Sequence, residues 1–268
     1  ANPQEHIDNS AQSMNEKLYQ TGFQAPPDTR IYAMGDIHGC FLLLKKMHEA
    51  ISFDLIDSPA SQVYIIYLGD YVDRGAQSKE VLDCLIERQN QRDDVKRLFL
   101  LGNHEHGMLD FALNPQNAQN SDWLDWGGVQ TLKSYGMEIE EQTFLPAEKE
   151  MIARKFVQII PLEHLGFLQT LSHAFEIGEY FFAHAGVNPA RPVNNQDLQD
   201  LFFIREPFLS WPEPLSHMIV PGHSKTKGKP EILPHRINVD TGAYETGVLC
   251  AAVIDGISVR FINVRGNL

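Results

Sequence analysis

Three apolar runs, Ile31-Tyr32-Ala33-Met34, Val63-Tyr64-Ile65-Ile66-Tyr67-Leu68 and Leu98-Phe99-Leu100-Leu101, recur roughly thirty residues apart, the spacing of strand–helix–strand units. Short continuous runs of this kind read as strands buried on both faces. Between them, residues 41–51 and 78–89 carry apolar side chains at helical spacing, the second through Val81, Leu82, Leu85 and Ile86. Two such units in succession predict an α/β fold with a parallel sheet and right-handed crossovers. Each run ends in a polar segment with glycine beside it: Gly35-Asp36-Ile37-His38-Gly39, Gly69-Asp70-Tyr71-Val72-Asp73-Arg74-Gly75 and Gly102-Asn103-His104-Glu105. Metal-binding side chains would thus gather at the carboxyl ends of neighbouring strands, where open α/β sheets place their sites.

The rest of the chain is organised around this unit. Residues 1–29 are polar, include Pro26-Pro27, and read as an N-terminal extension with partial helix around residues 13–20. Residues 30–268 show no linker-like stretch and are expected to form a single domain. Residues 105–171 carry Trp123, Trp126, Gly127-Gly128 and helical segments over 147–159 and 163–171, which predicts a helical insertion over the site. Strand signals resume at 179–183, 218–220, 237–239, 248–254 and 257–264, with Asp255-Gly256 as a hairpin turn between the last two. These strands are expected to build a second, mainly antiparallel sheet against the first.

Composition narrows the function classes. The 22 Lys and Arg against 35 Asp and Glu give a net charge of −13, so a continuous basic groove for nucleic acid is not expected. There is no apolar run long enough to span a membrane. Cys40, Cys84 and Cys250 lack metal-type spacing and cannot all pair with one another. Free thiols predict a reducing, cytoplasmic setting, although a chain beginning at Ala1 leaves a removed signal peptide open. Nothing in the sequence sets an oligomeric state.

Asp36 and His38 stand two apart, so an extended strand end sends both towards one ion. Asp70 can bridge two ions through its two oxygens, and Asn103 offers a neutral amide oxygen. His184 in Ala183-His184-Ala185-Gly186 and His223 in Gly222-His223-Ser224 follow further strand-like runs. Mixed oxygen and imidazole donors suit Mn, Fe or Zn and disfavour Ca. Alone, Gly-Asp-x-His-Gly is as often a turn with a capping Asp. Three motifs in order, each behind a buried strand, point to two-metal hydrolysis. His6, His48, His106, His164, His173, His217 and His235 lie outside the motifs and read as surface or structural residues.

Together, residues 35–39, 69–75, 102–105, His184-Ala185-Gly186 and Gly222-His223 resemble the phosphoprotein phosphatase branch of the calcineurin-like metallophosphoesterases. The resemblance runs from about residue 30 to residue 247. Residues 127–132 and Asn238-Val239-Asp240-Thr241-Gly242 resemble the compact bacterial-type serine/threonine phosphatases of that branch. It implies a four-layer α/β/β/α sandwich with two divalent or trivalent transition-metal ions, manganese first and iron or zinc as alternatives. It further implies Asp36, His38 and Asp70 on one ion, and Asp70, Asn103, His184 and His223 on the other. A water bridging the ions would attack phosphorus in line. Arg74, Arg205 and Asn103 would hold the phosphate, while His104, oriented by Asp73, would protonate the leaving group. Glu105 is expected to brace the site. The sequence departs from most eukaryotic members, which resemble His-Gly-Gly at 184–186 and carry a longer late loop whose tyrosine Tyr244 would replace.

The expected substrate is a phosphorylated protein at serine or threonine, with phosphotyrosine and small phosphomonoesters open. Diadenosine tetraphosphate hydrolases of the same fold are the main alternative. They resemble Gly-Asn-His-Asp and lack an acid matching Asp73, so Asp73 and Glu105 favour monoesters. Phosphodiesterases of the wider superfamily resemble Gly-His-x-His, where this chain has Gly222-His223-Ser224-Lys225. No nucleic-acid or membrane partner is expected, and the full set of donors weighs against a non-catalytic binding module.

Overall fold

The computed structural model describes residues 17–268. In chain order, β1 (Tyr19–Gln20), β2 (Thr29–Met34), α1 (Phe41–Asp57), β3 (Gln62–Tyr67), α2 (Ser78–Asn90) and β4 (Val95–Phe99) form the expected alternating unit. β2, β3 and β4 pair in parallel, with Tyr32 opposite Ile65 and Ile65 opposite Arg97. The next stretch is helical: α3 (Asn103–Leu113), α4 (Gly128–Ser134), α5 (Pro146–Ile159) and α6 (Leu162–Gln169), with two short 3₁₀ turns between α3 and α4. Pro146 starts α5, where its missing N–H costs nothing, and Glu148 accepts from the Leu145 amide (2.7 Å).

The chain continues through β5 (Phe175–Ile177), β6 (Tyr180–Phe182), α7 (Leu198–Phe203) and β7 (Met218–Val220) to β8 (Glu231–Ile232) and β9 (Ile237–Asn238), the last two paired with each other as a two-stranded ribbon. After α8 (Ala243–Thr246), β10 (Val248–Asp255) and β11 (Ser258–Arg265) close the chain as a hairpin turning at Gly256 (φ 61°).

The hairpin corrects one expectation. β10 and β11 do not join the second sheet; β10 pairs antiparallel with β2, giving the order β1-β11-β10-β2-β3-β4. Residues 248–254 are buried throughout, so β10 needs cover on both faces and an interior place in the larger sheet. The second sheet is the three-stranded β5-β6-β7, in which β6 and β7 are parallel, so it is mixed rather than mainly antiparallel. The helix expected over residues 13–20 falls largely outside the described residues, and Tyr19–Gln20 within them pair with β11.

Strand alternation divides the core in two. Tyr32, Met34, Ile65 and Tyr67 point towards α1 and α2, meeting Leu44, Met47, Ile51 and Leu82. Their neighbours Ile31, Ala33, Ile66 and Leu68 point the other way, meeting Tyr180, Phe182, Met218, Val220 and Ile237 between the sheets. Beyond the second sheet, Phe181 lies with Leu201 of α7 in a thin outer layer. The layers are therefore helix, sheet, sheet and a short helical cover. Every strand pointing at the site ends at the same edge.

Candidate metal centre and active site

Asp36 and His38 follow β2, Asp70 follows β3, and Asn103 and His104 open α3 directly after β4. His184 follows β6 and His223 follows β7. The connecting loops are laced together: Asp70 O accepts from the Ile37 and His38 amides (3.0 and 2.9 Å), and Tyr71 O from Gly39 (2.9 Å). His38, Asp70, Asp73, Arg74 and His223 all adopt left-handed backbone, with φ between 42° and 74°. Among the described residues the only other non-glycine there is Asp28, away from these loops. Such conformations cost on the order of 1–3 kcal/mol each and persist only where surrounding bonds fix them.

Glu105 supplies much of that fixing. Its buried carboxylate accepts the amides of Asp70 (2.7 Å), Tyr71 (2.9 Å), Val72 (3.3 Å) and Gly102 (3.2 Å). A Cβ at Gly102 would overlap the Asp70 carboxylate, so only glycine lets α3 begin this close.

Asp70 is the hub. Its Oδ2 lies 3.2 Å from His184 Nε2, 3.5 Å from His38 Nε2 and 3.9 Å from His104 Nε2. Asn103 Oδ1 lies 3.0 Å from both His184 Nε2 and His223 Nδ1. Two donor groups result, His38-Asp70-His104 and Asp70-His184-His223, sharing Asp70. Asp36 Oδ2 is 3.8 Å from His38 Nε2, and both its oxygens accept the His223 amide at 3.2 Å. The sequence grouped Asp36, His38 and Asp70; the structure keeps Asp36 within 3.8 Å of His38 and brings His104 up to Asp70 as a further imidazole (3.9 Å).

The donor set fits cations. His184 Nδ1 gives its proton to Leu68 O (2.7 Å), so a neutral His184 would point a lone pair at two oxygen acceptors. Without an ion, a second proton must serve: burial opposes the charge, but Asp70 and the Leu68 carbonyl outweigh it and raise the pKa of His184. His38 Nδ1 is likewise committed to Val72 O (2.8 Å), leaving Nε2 facing the carboxylates. Burial pushes His38 down to about 3 and His223 down to about 3, so both are neutral donors. Burial would raise Asp70, but the imidazoles of His184, His104 and His38 hold it well below the usual carboxylate range. Burial, Asp240 and Asp70 push Asp36 up.

His104 differs. Its Nδ1 donates to Asp73 Oδ2 (2.7 Å), and Asp73 also accepts Trp123 Nε1 (2.8 Å) and Thr131 Oγ1 (2.6 Å). Asp73 is fully buried, and its side chain orients His104 rather than capping the turn after it. Burial works against a charged His104, yet Asp70 and Asp73 push its pKa up to about 9.

The sequence pattern of the calcineurin-like phosphoesterases matches residues 29–248. The chain belongs to that family. Members use a dinuclear metal centre, which the paired donor groups suit. The chain is similar to an asymmetrical bis(5'-nucleosyl)-tetraphosphatase, PrpE, of Anoxybacillus flavithermus, at 26% identity over 81% of this chain and 87% of the relative. It is also similar to serine/threonine-protein phosphatase 1 of Salmonella typhimurium, at 33% identity, over only 42% of this chain and 45% of that one. A solved structure provisionally described as a diadenosine tetraphosphatase shares the fold, with TM-score 0.58 and 22% identity over 91% of this chain and 99% of that one.

In this phosphoesterase, His38, Asp70, Asn103, His104 and His223 line one end of a cavity of about 610 Å³. Arg74 and Arg205 are exposed at its mouth. Arg205 does not pair with Glu206, whose carboxylate caps Ser210; its Nη1 approaches Ser224 Oγ (3.4 Å). Tyr244 lies in the cavity, its ring edge-on to His38 (5.3 Å) and under Arg74 (5.2 Å), with its hydroxyl on Lys225 Nζ (2.9 Å).

Several site residues escaped the sequence. Trp123 and Thr131 hold Asp73 from 50 and 58 residues away. Asp240, buried beside Asp36, follows the short β9; a carboxylate directly after an apolar run was the available signal. The other histidines mostly have structural partners. His48 meets Tyr67 (2.9 Å), His164 meets Tyr135 and Asp83 (2.6 Å each), and His235 meets Phe208 O (2.7 Å). The three cysteines are unpaired, and no helix among the described residues could cross a membrane.

Proposed function

We propose that this phosphoesterase hydrolyses phosphate monoesters, with phosphoserine and phosphothreonine in proteins as substrates and residues 30–268 acting as one catalytic domain. The buried Asp73–His104 pair beside the cavity carries the reading. An alkoxide leaves poorly without a proton, whereas a nucleotide phosphate leaves readily as an anion. A positioned imidazole held protonated by a buried carboxylate is therefore of most use to a monoesterase.

Asp36, His38, Asp70, Asn103, His184 and His223 would hold two ions, manganese first and iron or zinc as alternatives. The ions would supply positive charge and an acidified water. Arg74 and Arg205 reach the cavity from its mouth and can each grip phosphate oxygens through paired N–H groups, with Asn103 beneath. His104 keeps Nδ1 on Asp73 and delivers the Nε2 proton to the departing oxygen. Glu105 holds the Asp70 loop still while this happens.

Dinucleoside tetraphosphates form the second reading, favoured by the name of the Anoxybacillus relative and its greater coverage of this chain. The metal-loaded enzyme should be assayed against phosphoserine, phosphothreonine and phosphotyrosine peptides beside diadenosine tetraphosphate. The first two are expected to give the highest kcat/KM. Faster cleavage of the dinucleotide would replace the monoester reading with the second.

A further inference from the structure

β4 carries one charged side chain where its period calls for an apolar one. Val95 and Phe99 face the helical layer and Leu98 the other sheet, so alternation turns Arg97 towards the helices beside Ile65. Only 8% of the Arg97 side chain is exposed. Asp93 takes its Nη1 and Nη2 (2.7 and 2.9 Å), but its Nε is buried without a partner. Leaving a buried donor unpaired is destabilising.

Arg97 lines a cavity of about 270 Å³ under α1 and the end of α2, a little below the roughly 300–1,000 Å³ of drug-sized sites. Its lining shares no residue with the metal-centre cavity. Ile51, Leu55, Ile56 and Ile65 supply an apolar wall. Arg88 enters from α2 with Gln91 Oε1 (3.0 Å) and the Cys84 thiol as partners, and no carboxylate among the described residues pairs with it. At the floor, burial and then Arg88 and Arg97 push the pKa of His48 down to about 3, so it adds no charge. Two guanidiniums against Asp93 leave the cavity with one net positive charge in a chain of net −13.

We propose that this cavity is a second ligand site, binding a small organic monoanion: an apolar body against α1 and β3, with its head at Arg88 and beside the Arg97 guanidinium. The body covers the exposed face of Ile56.

The test uses metal-loaded protein with labelled Ile, Leu and Val methyls, titrated with 4-phenylbutyrate and the uncharged 4-phenylbutanol. Saturable shifts are expected at Ile51, Leu55 and Ile65, with the acid binding about tenfold tighter than the alcohol. Arg88→Gln and Arg97→Met should each weaken the acid by about tenfold and leave the alcohol and p-nitrophenyl phosphate turnover unchanged. Arg88 is half-buried at a helix end, so its variant carries the test if Arg97→Met does not fold. The proposal is overturned if phenylbutyrate, octanoate and benzoate all leave these methyls unmoved up to about 10 mM, a binding energy below ~3 kcal/mol. Equal affinity for acid and alcohol would overturn it too.

Discussion

Replacing Asp73 by Asn tests the acid directly because the pocket can accept the amide. The Asn Oδ1 would take the place of Asp73 Oδ2 and still accept His104 Nδ1 and Trp123 Nε1. Its Nδ2 would face Thr131 Oγ1, which can turn its own proton to Ser78 Oγ (3.1 Å). The fold is therefore kept while one buried charge is removed. Exchanging a charge-assisted hydrogen bond for a neutral one costs about 1 kcal/mol, a lower bound of ~0.7 pH unit. Full loss of the ion pair, with charge centres ~4 Å apart at an effective dielectric of ~20, gives ~4 kcal/mol, an upper bound of ~3 units.

The sign follows from the role. In the proposed mechanism His104 acts when protonated, so activity would be present below its pKa and lost as pH rises through it. Without bound ions that pKa is raised to about 9. Asp73→Asn should move the alkaline limb of kcat down by about 1–3 pH units. Bound ions displace the limbs of both proteins, so the difference between them is the quantity read. The assay is kcat against pH for phenyl phosphate and p-nitrophenyl phosphate. At fixed pH, His104→Asn should lose about 10²–10⁴ in kcat on phenyl phosphate and much less on the activated ester, with metal content unchanged. An unmoved limb in Asp73→Asn, or equal losses on both esters in His104→Asn, would refute the acid role.

Asp70→Asn removes the oxygen pair both donor groups share, so ions per chain by elemental analysis should fall below those of the wild type; full occupancy would refute the bridging role. Arg205→Ala should raise the inhibition constant of inorganic phosphate about tenfold, and an unchanged constant would take it out of the site. Glu105→Gln turns an amide N–H2 towards two of the four backbone amides that Glu105 accepts and should lower Tm by roughly 5–10 °C, read by calorimetry. His48, faced by Tyr67, Cys84, Arg88 and Arg97, stays neutral in the folded chain down to about 3 while the unfolded imidazole protonates near 6.5. Its contribution is complete above that pH and declines by up to ~1.4 kcal/mol per unit below it, so His48→Gln should flatten urea-measured stability between pH 6 and 4 by about that slope.

What the sequence made legible was local. A run buried on both faces followed by a glycine-flanked acid announces itself within a dozen residues or so, which is why the three motifs and their shared sheet edge could be read directly. The place of β10 could not, because a continuous apolar run states how many faces are covered and not which strand lies beside it. The Asp36–His223 contact spans 187 residues, and no pattern in either segment encodes the other. Residues 105–171 show the limit most clearly. Their composition predicted helices over the site, yet beyond Glu105 their hold on the His104 pair comes through two side chains. Trp123 and Thr131 reach Asp73, and Asp73 reaches His104. The insertion is thus a buttress as well as a cover. Shifting α4 or the turn before it would loosen the carboxylate that aims the imidazole, without touching any residue that faces an ion. Changes in this segment should therefore register first in leaving-group dependence and only later in metal content.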